Sequence, residues 1–255
     1  MNVRSPLDMI KNRLNRDRVY CTPEYWDAKA TELDGDAASA WPNNNLNTLY
    51  YARMAEAYTR LIPDFQGKKV LEIGCGTGRN TRFLLSLGAQ VVGVDFSDKA
   101  IEFARKRTES DQATFRKQSL FELDDVHQYD LVVSSGTITV ACRNSEELAD
   151  LLARLAKALK PGGRILLLEP IHKGFLHRVL NVDQQEFVSV MKRVGFRIDH
   201  VEHMHFWPAR LALAFLPWPM AVTSPAYKAG ESLMETLFRN HAGGDYRIIV
   251  ASTAP

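Results

Sequence analysis

The chain has 255 residues, a length that suits one large domain with insertions. Hydrophobic residues make up 45% of it and charged residues 24%, the balance of a globular protein whose core needs no disulfide bonds. The formal net charge is only +2, so electrostatics give no reason to expect a nucleic acid as the partner.

The first 65 residues are predicted to form a helical cap ahead of the sheet. Basic residues gather between positions 4 and 18, which is typical of a solvated helix or tail. Aromatic and amide side chains follow in Tyr25-Trp26-Asp27 and in residues 41–47. They either contact a polar ligand or form turns ahead of a helix over residues 50–61, and the sequence leaves both interpretations open.

From residue 68 onward, apolar runs of strand length alternate with segments of helical period. This alternation is typical of βαβ units in a parallel sheet. Strands are predicted at residues 69–73, 90–94, 114–117, 130–134, 164–168, 196–205 and 246–251. Helices are predicted at residues 79–87, 97–106 and 183–194, in addition to the one described next.

The most regular helix precedes the predicted strand at residues 164–168. Its apolar stripe, at helical spacing, consists of Leu148, Leu151, Leu152, Leu155 and Leu159. Asn144 with Glu147 resembles a capping box at its start. We expect the helix to end where Lys160-Pro161-Gly162-Gly163 turns the chain into the next strand.

A glycine-rich segment, residues 70–78, ends the first strand and enters a helix. Its glycines permit a tight turn and let backbone N–H groups approach a ligand closely. Glu72, just before the first glycine, would repel a pyrophosphate and attract an ammonium group, unless it pairs with a nearby Arg or Lys. Asp95 ends the next strand, where a carboxylate accepts both hydroxyls of a ribose. The pattern favours a nucleoside that carries an ammonium group.

Four phrases of the sequence resemble class I S-adenosylmethionine-dependent methyltransferases: VLEIGCGTGRNT, VVGVDFSDKAIEFAR, YDLVVSSGTI and LARLAKALKPGGRILLLEP. The resemblance covers about residues 66–197 and the last strand. It implies an α/β, doubly wound (Rossmann-like) sheet of seven strands, mostly parallel, with the last strand antiparallel. It divides the chain into an N-terminal helical cap, residues 1–65, and a cofactor-binding methyltransferase domain, residues 66–255.

The resemblance also implies which residues contact S-adenosyl-L-methionine. They are Tyr25, Glu72, Gly74, Cys75, Gly76, Asp95, Phe96, Ser97, Ser119, Leu120 and Ser135. Glu72 and the glycines line the methionine part, Asp95 takes the ribose hydroxyls, and Ser135 lies near the sulfonium. Phe96 flanks the adenine or is a core residue, and Cys75 is a small filler of the loop rather than a nucleophile.

One stretch departs from the family. Members often carry an acidic residue after the third strand that receives the adenine amino group, and here residues 117–121 read KQSLF. Ser119 or the carbonyl group of Gln118 could substitute for it. The contacts to adenine are therefore less well determined than those to the ribose.

The acceptor side offers one candidate base, His172, which follows the predicted strand 164–168. Ligands bind outside the carboxyl ends of such strands, and the histidine pKa suits proton abstraction near neutral pH. The alternative is an ordinary surface histidine. His203 and His205 alternate on one strand, and we expect them to be ordinary sheet residues. We expect no metal ion, because no ligand spacing occurs.

The insertion at residues 206–244 is rich in aromatics and proline and far exceeds a usual loop of about 4–6 residues. We expect it to line the acceptor site, with a homodimer surface or ordinary cap core as the alternatives. Its most apolar stretch, residues 206–222, is broken by Pro208, Arg210, Pro217 and Pro219. A membrane span needs about 20 apolar residues, so we expect none.

These observations predict methyl transfer to a small, aromatic or lipophilic metabolite. An NAD-dependent oxidoreductase and a non-catalytic S-adenosylmethionine-binding partner protein are the alternatives. The N-terminus lacks the apolar run of a secretory signal, and Cys21, Cys75 and Cys142 show no CxxC or metal-ligand spacing. We therefore expect a cytoplasmic protein without disulfide bonds.

Overall fold

The computed structural model describes residues 6–32, 41–237 and 243–253. The helices are α1 Pro6–Leu14, α2 Arg16–Val19, α3 Pro23–Glu32, α4 Asn44–Leu61, α5 Arg79–Ser86, α6 Asp98–Arg107, α7 Ile138–Ala141, α8 Ser145–Ala158, α9 Gln184–Arg193, α10 Trp207–Leu213 and α11 Met220–Thr236. The strands are β1 Lys69–Ile73, β2 Gln90–Asp95, β3 Ala113–Lys117, β4 Tyr129–Ser135, β5 Leu159–Glu169, β6 Arg197–Phe206 and β7 Gly244–Ser252.

These strands form one sheet in the order β3-β2-β1-β4-β5-β7-β6. β7 is antiparallel to both of its neighbours, and the pairs from β3 to β5 are parallel. The predicted fold class is confirmed. The strand order reverses between β1 and β4, and such a reversal opens a crevice at the carboxyl ends of the strands.

Alternating side chains of the central strands enter two separate apolar clusters, one on each face of the sheet. Leu71 of β1 joins the stripe of α8 on one face, and the neighbouring Val70 joins Tyr58 of α4 on the other. Each fully buried side chain of this size stabilises the fold by about 1.5–3 kcal/mol. Both faces are therefore covered, as a parallel sheet requires.

The Asn-rich segment before α4 serves the fold. Asn43 caps α4 by accepting hydrogen bonds from the backbone N–H groups of Asn45 and Leu46. The Asn43 amide also donates to the Leu213 carbonyl oxygen at 3.0 Å, and the Asn45 amide donates to that of Trp218 at 2.9 Å. These amides tie α4 to the insertion. The structure thus supports the interpretation of residues 41–47 as a helix start and not as ligand contacts.

Two predicted boundaries were wrong. α4 begins at Asn44, well before residue 50, because its cap is Asn43. Leu159 is not part of α8: it begins β5, which continues through the Pro161-Gly162-Gly163 segment. The short helix α7, which directly follows the carboxyl end of β4, was not predicted.

The insertion forms α10 and α11, and Leu213 of α10 and Tyr227 of α11 pack against Leu46 of α4. Several of its large apolar side chains face solvent, including Phe215 at 47% and Trp218 at 37% exposure. Over residues 6–32, 41–237 and 243–253, no helix combines the length and the apolar character needed to cross a membrane.

Candidate functional site

A cavity of about 440 Å³ lies at the carboxyl ends of β1, β2 and β4. Its floor is the glycine-rich loop together with the ends of these strands. The N-terminal helices cover it through Tyr20, Trp26, Tyr51 and Met54. The volume lies within the roughly 300–1,000 Å³ of small-molecule pockets.

The glycine-rich loop turns sharply at Gly74 and is held against β2. Gly74 has a φ of +65°, and its N–H group donates to the Val94 carbonyl oxygen at 2.7 Å. A Cβ atom at this position would lie 2.1 Å from the Thr137 hydroxyl oxygen. The loop and the turn after β4 can approach each other this closely only because residue 74 has no side chain.

This contact makes Gly74→Ala a sharp test of the loop, with Gly67→Ala as its matched control. Gly67 also has a positive φ, +68°, but nothing lies within 4 Å of its Cβ position. The control isolates the backbone strain of roughly 1–2 kcal/mol. We expect Gly74→Ala to lower the free energy of unfolding by about 1–3 kcal/mol more, measured by urea titration. Equal losses of unfolding free energy in the two variants would show that Thr137 can move aside without destabilising the chain.

Glu72 lies buried beneath this loop, 3% exposed. Its carboxylate accepts hydrogen bonds from the Asn80 amide at 3.1 Å and from the Thr81 hydroxyl at 2.5 Å, both on α5. Its hydrogen-bond partners are thus neutral groups and not a Lys or Arg. Burial raises the pKa of Glu72 to about 7, although both hydrogen bonds oppose the shift. A cationic ligand group would restore the charged form.

Asp95 ties the loop to the end of β2. One carboxylate oxygen accepts from the Gly76 N–H and the other from the Ser97 N–H, both at 2.9 Å. Burial raises the pKa of Asp95, and these backbone hydrogen bonds counteract the increase. The Phe96 N–H also hydrogen-bonds to this carboxylate. A carboxylate offers about four lone-pair sites, so Asp95 can hold the loop and still accept a hydrogen bond from a ligand.

Two further segments, at the end of β2 and after β3, contribute Phe96, Ser119, Leu120 and Phe121 to the lining. The Ser119 hydroxyl accepts a hydrogen bond from the Phe121 N–H at 3.3 Å and caps the short turn Leu120–Glu122. Aromatic side chains here offer faces on which a planar base can stack.

Nearly all of the predicted cofactor residues line this cavity: Glu72, Gly74, Cys75, Gly76, Asp95, Phe96, Ser119, Leu120 and Ser135. Tyr25 and Ser97 do not. The buried Tyr25 ring packs on Trp26, which does line the cavity, with ring centres 5.2 Å apart. The Ser97 hydroxyl caps α6 and donates to Asp27 of α3 at 2.5 Å. Both residues therefore lie outside the cavity and contact the segments that form its wall.

Sequence reasoning missed Glu169, which shapes the turn after β4. Its fully buried carboxylate accepts from the Ser134 hydroxyl at 2.5 Å and from the backbone N–H groups of Thr137, Ile138 and Thr139 at 3.0–3.2 Å. Burial raises the pKa of Glu169, and these hydrogen bonds oppose the increase. The signal for it was the acidic residue in the phrase RILLLEP. This carboxylate holds Ser134 and the turn that begins at Thr137 in place.

His172 does not lie on the cavity lining, and the residues of the lining that the structure describes end at Glu147. The His172 Nε2 atom is 2.7 Å from the Asp245 carbonyl oxygen and 3.2 Å from the Asp245 carboxylate. A general base must lie within hydrogen-bond reach of the acceptor, and His172 lies outside the cavity. Its position therefore does not support the predicted catalytic role, which stays a prediction. The insertion likewise contributes no described residue to the lining.

Residues 70–163 match a protein family described as a methyltransferase domain. The demethylmenaquinone methyltransferase of Tropheryma whipplei is 29% identical over 57% of this chain and 60% of its own length. The chain thus spans about three fifths of that curated relative.

Two solved structures share the fold. Phosphoethanolamine N-methyltransferase 2 of Haemonchus contortus, solved with S-adenosyl-L-methionine, aligns with a TM-score of 0.60 at 22% identity, over 95% of this chain and 60% of that one. The [4+2]-cyclase SpnF aligns with a TM-score of 0.64 at 16% identity, over 94% and 97%.

The fold and the cavity define a nucleoside-binding α/β domain with an acidic residue beneath its glycine loop. Residues 70–163 form a methyltransferase domain of the class I S-adenosylmethionine-dependent type, whose cofactor is S-adenosyl-L-methionine. The site fits this cofactor, because the buried Glu72 suits a cation and Asp95 can still accept a hydrogen bond from a ribose.

Proposed function

We propose that this chain transfers the methyl group of S-adenosyl-L-methionine to a small molecule with an aromatic or lipophilic part. One observation carries the proposal: a single cavity joins the loop above Glu72 and the carboxylate of Asp95 to the turn after β4, under an aromatic cover. When bound, the cofactor supplies a methyl group already activated by its sulfonium.

The residues at the cofactor end bind and orient. Asp95 accepts the ribose hydroxyls, and Glu72 attracts the ammonium group of the methionine part. The N–H groups of Gly74 and Gly76 already donate to the Val94 carbonyl oxygen and to Asp95, so the glycines contribute room for a ligand to approach the backbone closely. Phe96 and Leu120 flank the adenine. Together these groups would orient the cofactor, and Ser135 at the end of β4 is the residue that we expect near its sulfonium.

The apolar side chains of the lining exclude water and accept an apolar molecule. They include Tyr20, Trp26, Tyr51, Met54 and Val140. The Arg79 guanidinium lies 3.2 Å from the centre of the Tyr51 ring and closes the gap between α5 and α4. Holding two reactants together in such a chamber accelerates transfer by making the step effectively unimolecular. The name of the T. whipplei relative, a demethylmenaquinone methyltransferase, supports a small-molecule acceptor.

Two measurements test this proposal. Calorimetric titration should show S-adenosylmethionine and S-adenosylhomocysteine binding to the purified chain and NAD not binding. Mass spectrometry of a metabolite extract incubated with methyl-labelled cofactor should then show a labelled small molecule. Binding of NAD in preference would favour an oxidoreductase, and binding without any labelled product would favour a non-catalytic protein. The absence of methyl transfer would be compatible with this fold, because the [4+2]-cyclase SpnF shares it and a fold alone does not determine the reaction.

A further inference from the structure

Arginine side chains from three separate elements converge beside the acceptor end of the cavity. Arg13 lies on α1, Arg178 follows the turn Gly174–Leu176, and Arg210 lies on α10. The Arg178 and Arg210 guanidinium groups lie 5.7 Å and 5.0 Å from the centre of the Trp41 ring. We call Arg13, Arg178 and Arg210 the arginine cluster.

One carboxylate is engaged with this cluster. Asp245, 1% exposed, lies 2.8 Å from Arg210 Nε and also contacts His172. Burial alone would raise the pKa of Asp245. His172, Arg210 and Arg178 outweigh this effect and lower the pKa to about 2. Asp245 is thus fully charged and pairs with Arg210.

The other two arginines differ from each other. Burial lowers the pKa of Arg178, but Tyr246 and Asp245 raise it by more, so its charged form is favoured.

Arg13 donates from one amino group to the Phe175 carbonyl oxygen at 3.3 Å, and among the described residues its buried Nη1 atom has no hydrogen-bond partner. Burial, reinforced by the cations Arg178 and Arg16, lowers the pKa of Arg13 to about 10. Burial and then Arg178 also lower the pKa of Lys29 to about 8. Both cations therefore lie in a field that disfavours positive charge, and a buried unbalanced cation is costly.

The cluster adjoins the cavity through two tyrosines. Tyr20 lines the cavity and interacts electrostatically with both Arg13 and Arg178. Arg178 is hydrogen-bonded to Tyr246, whose hydroxyl lies 4.0 Å from where a Cβ atom on Gly136 would be. Gly136 itself lines the cavity beside Ser135. The cluster therefore adjoins the cavity behind Tyr20 and Tyr246, although none of its three arginines belongs to the described lining.

We propose that the acceptor carries an anionic group, a carboxylate or a phosphate, which Arg178 and Arg13 bind while its apolar part lies under the aromatic cover. The inference rests on the proposed function and names the substrate class of that site. The planar guanidinium fork matches both anions and binds them through paired, charge-assisted hydrogen bonds. An anion there would supply the partner that Arg13 Nη1 lacks. A purely structural cluster that fastens α1 to the sheet is the competing explanation.

The test uses the full chain saturated with S-adenosylhomocysteine. Benzoate, phenyl phosphate and the neutral benzamide serve as probes, and their affinities are measured by calorimetry. We expect at least one anion to bind about tenfold or more tightly than benzamide, as one lost charge-assisted contact predicts. The tighter of the two anions identifies the group. Arg178→Gln should reduce this affinity about tenfold and leave the affinity for S-adenosylhomocysteine unchanged.

Arg197→Gln is the matched control, because Arg197 is exposed at the start of β6 and pairs with Asp199. It should leave every affinity unchanged. If Arg178→Gln does not fold, Arg13→Gln decides, since Arg13 has no carboxylate partner among the ion pairs of the described residues. The proposal is overturned if benzamide binds as tightly as the anions, or if the arginine variant that folds keeps full anion affinity. Failure of S-adenosylhomocysteine to bind the wild-type chain overturns the proposed function, and this inference with it.

Discussion

Asp95→Ala is expected to lower the affinity for S-adenosylmethionine by at least about a hundredfold, because it removes two charge-assisted hydrogen bonds of roughly 1.5–3 kcal/mol each. The carboxylate is half-buried on the wall of the cavity, so solvent weakens these bonds less than it would at the open surface. Calorimetry on the wild-type and variant chains measures the effect.

The same substitution is also expected to destabilise the chain. The N–H groups of Gly76 and Ser97 each donate to an Asp95 oxygen at 2.9 Å, and Ala leaves them without that acceptor. An orphaned buried donor costs about 1–3 kcal/mol. From sequence alone the carboxylate is expected to serve only the ligand. The structure corrects this, because Asp95 also fastens the loop.

Two variants separate these effects. Asp95→Asn keeps one carbonyl oxygen and should fold more stably than Asp95→Ala, yet still bind the cofactor weakly. Asp98→Ala is the control, because Asp98 is exposed and pairs with Lys117 at the surface. It should change neither affinity nor stability appreciably. Unchanged affinity in both Asp95 variants would show that the ribose is held elsewhere.

Glu72→Gln is expected to stabilise the ligand-free chain at pH 8 by about 2–3 kcal/mol relative to wild type. Burial raises the pKa of Glu72 to about 7, from an ordinary value of 4.5. Between these two values the folded chain holds a proton that the unfolded chain has released. Wild-type stability therefore falls as pH rises from about 4.5 to 7, and the amide, which does not titrate, escapes this loss.

The readout is the difference in free energy of unfolding between variant and wild type, from urea titrations at pH 5, 6, 7 and 8. It should grow up to about pH 7 and then stay level. Glu109→Gln, which replaces an exposed glutamate, should show no such trend. A constant difference across this range would contradict the raised pKa of Glu72.

The same variant should bind S-adenosylmethionine about tenfold more weakly at pH 8, because the amide no longer attracts the ammonium group. In the wild-type chain the affinity should rise with pH and level off above about 7, as the carboxylate becomes charged before the cation binds. Glu72 thus favours function at the expense of stability. A variant that is both more stable and equally tight in binding would remove Glu72 from the cofactor site.

Local sequence determined most of the cofactor half of this site. The glycine loop, Glu72 and Asp95 lie within or directly after predicted strands, and their geometry follows from backbone conformation and from hydrogen bonds between near neighbours. Gly74 needs a positive φ whatever surrounds it. The central strands and the apolar stripe of α8 could also be predicted from local sequence. The spacing of their apolar residues depends only on which face of the strand or helix is buried.

Only the tertiary structure decided the acceptor half. The basic residues near the N-terminus suggested a solvated helix, yet Arg13 has a buried guanidinium nitrogen beside arginines far away in the chain. Asn43 offered ligand chemistry by its residue type and instead caps α4. His172 follows a strand end, as a base would, and faces Asp245. A side chain of this kind has several chemically acceptable partners, and long-range packing selects among them, so no local pattern in the sequence can name the one it takes.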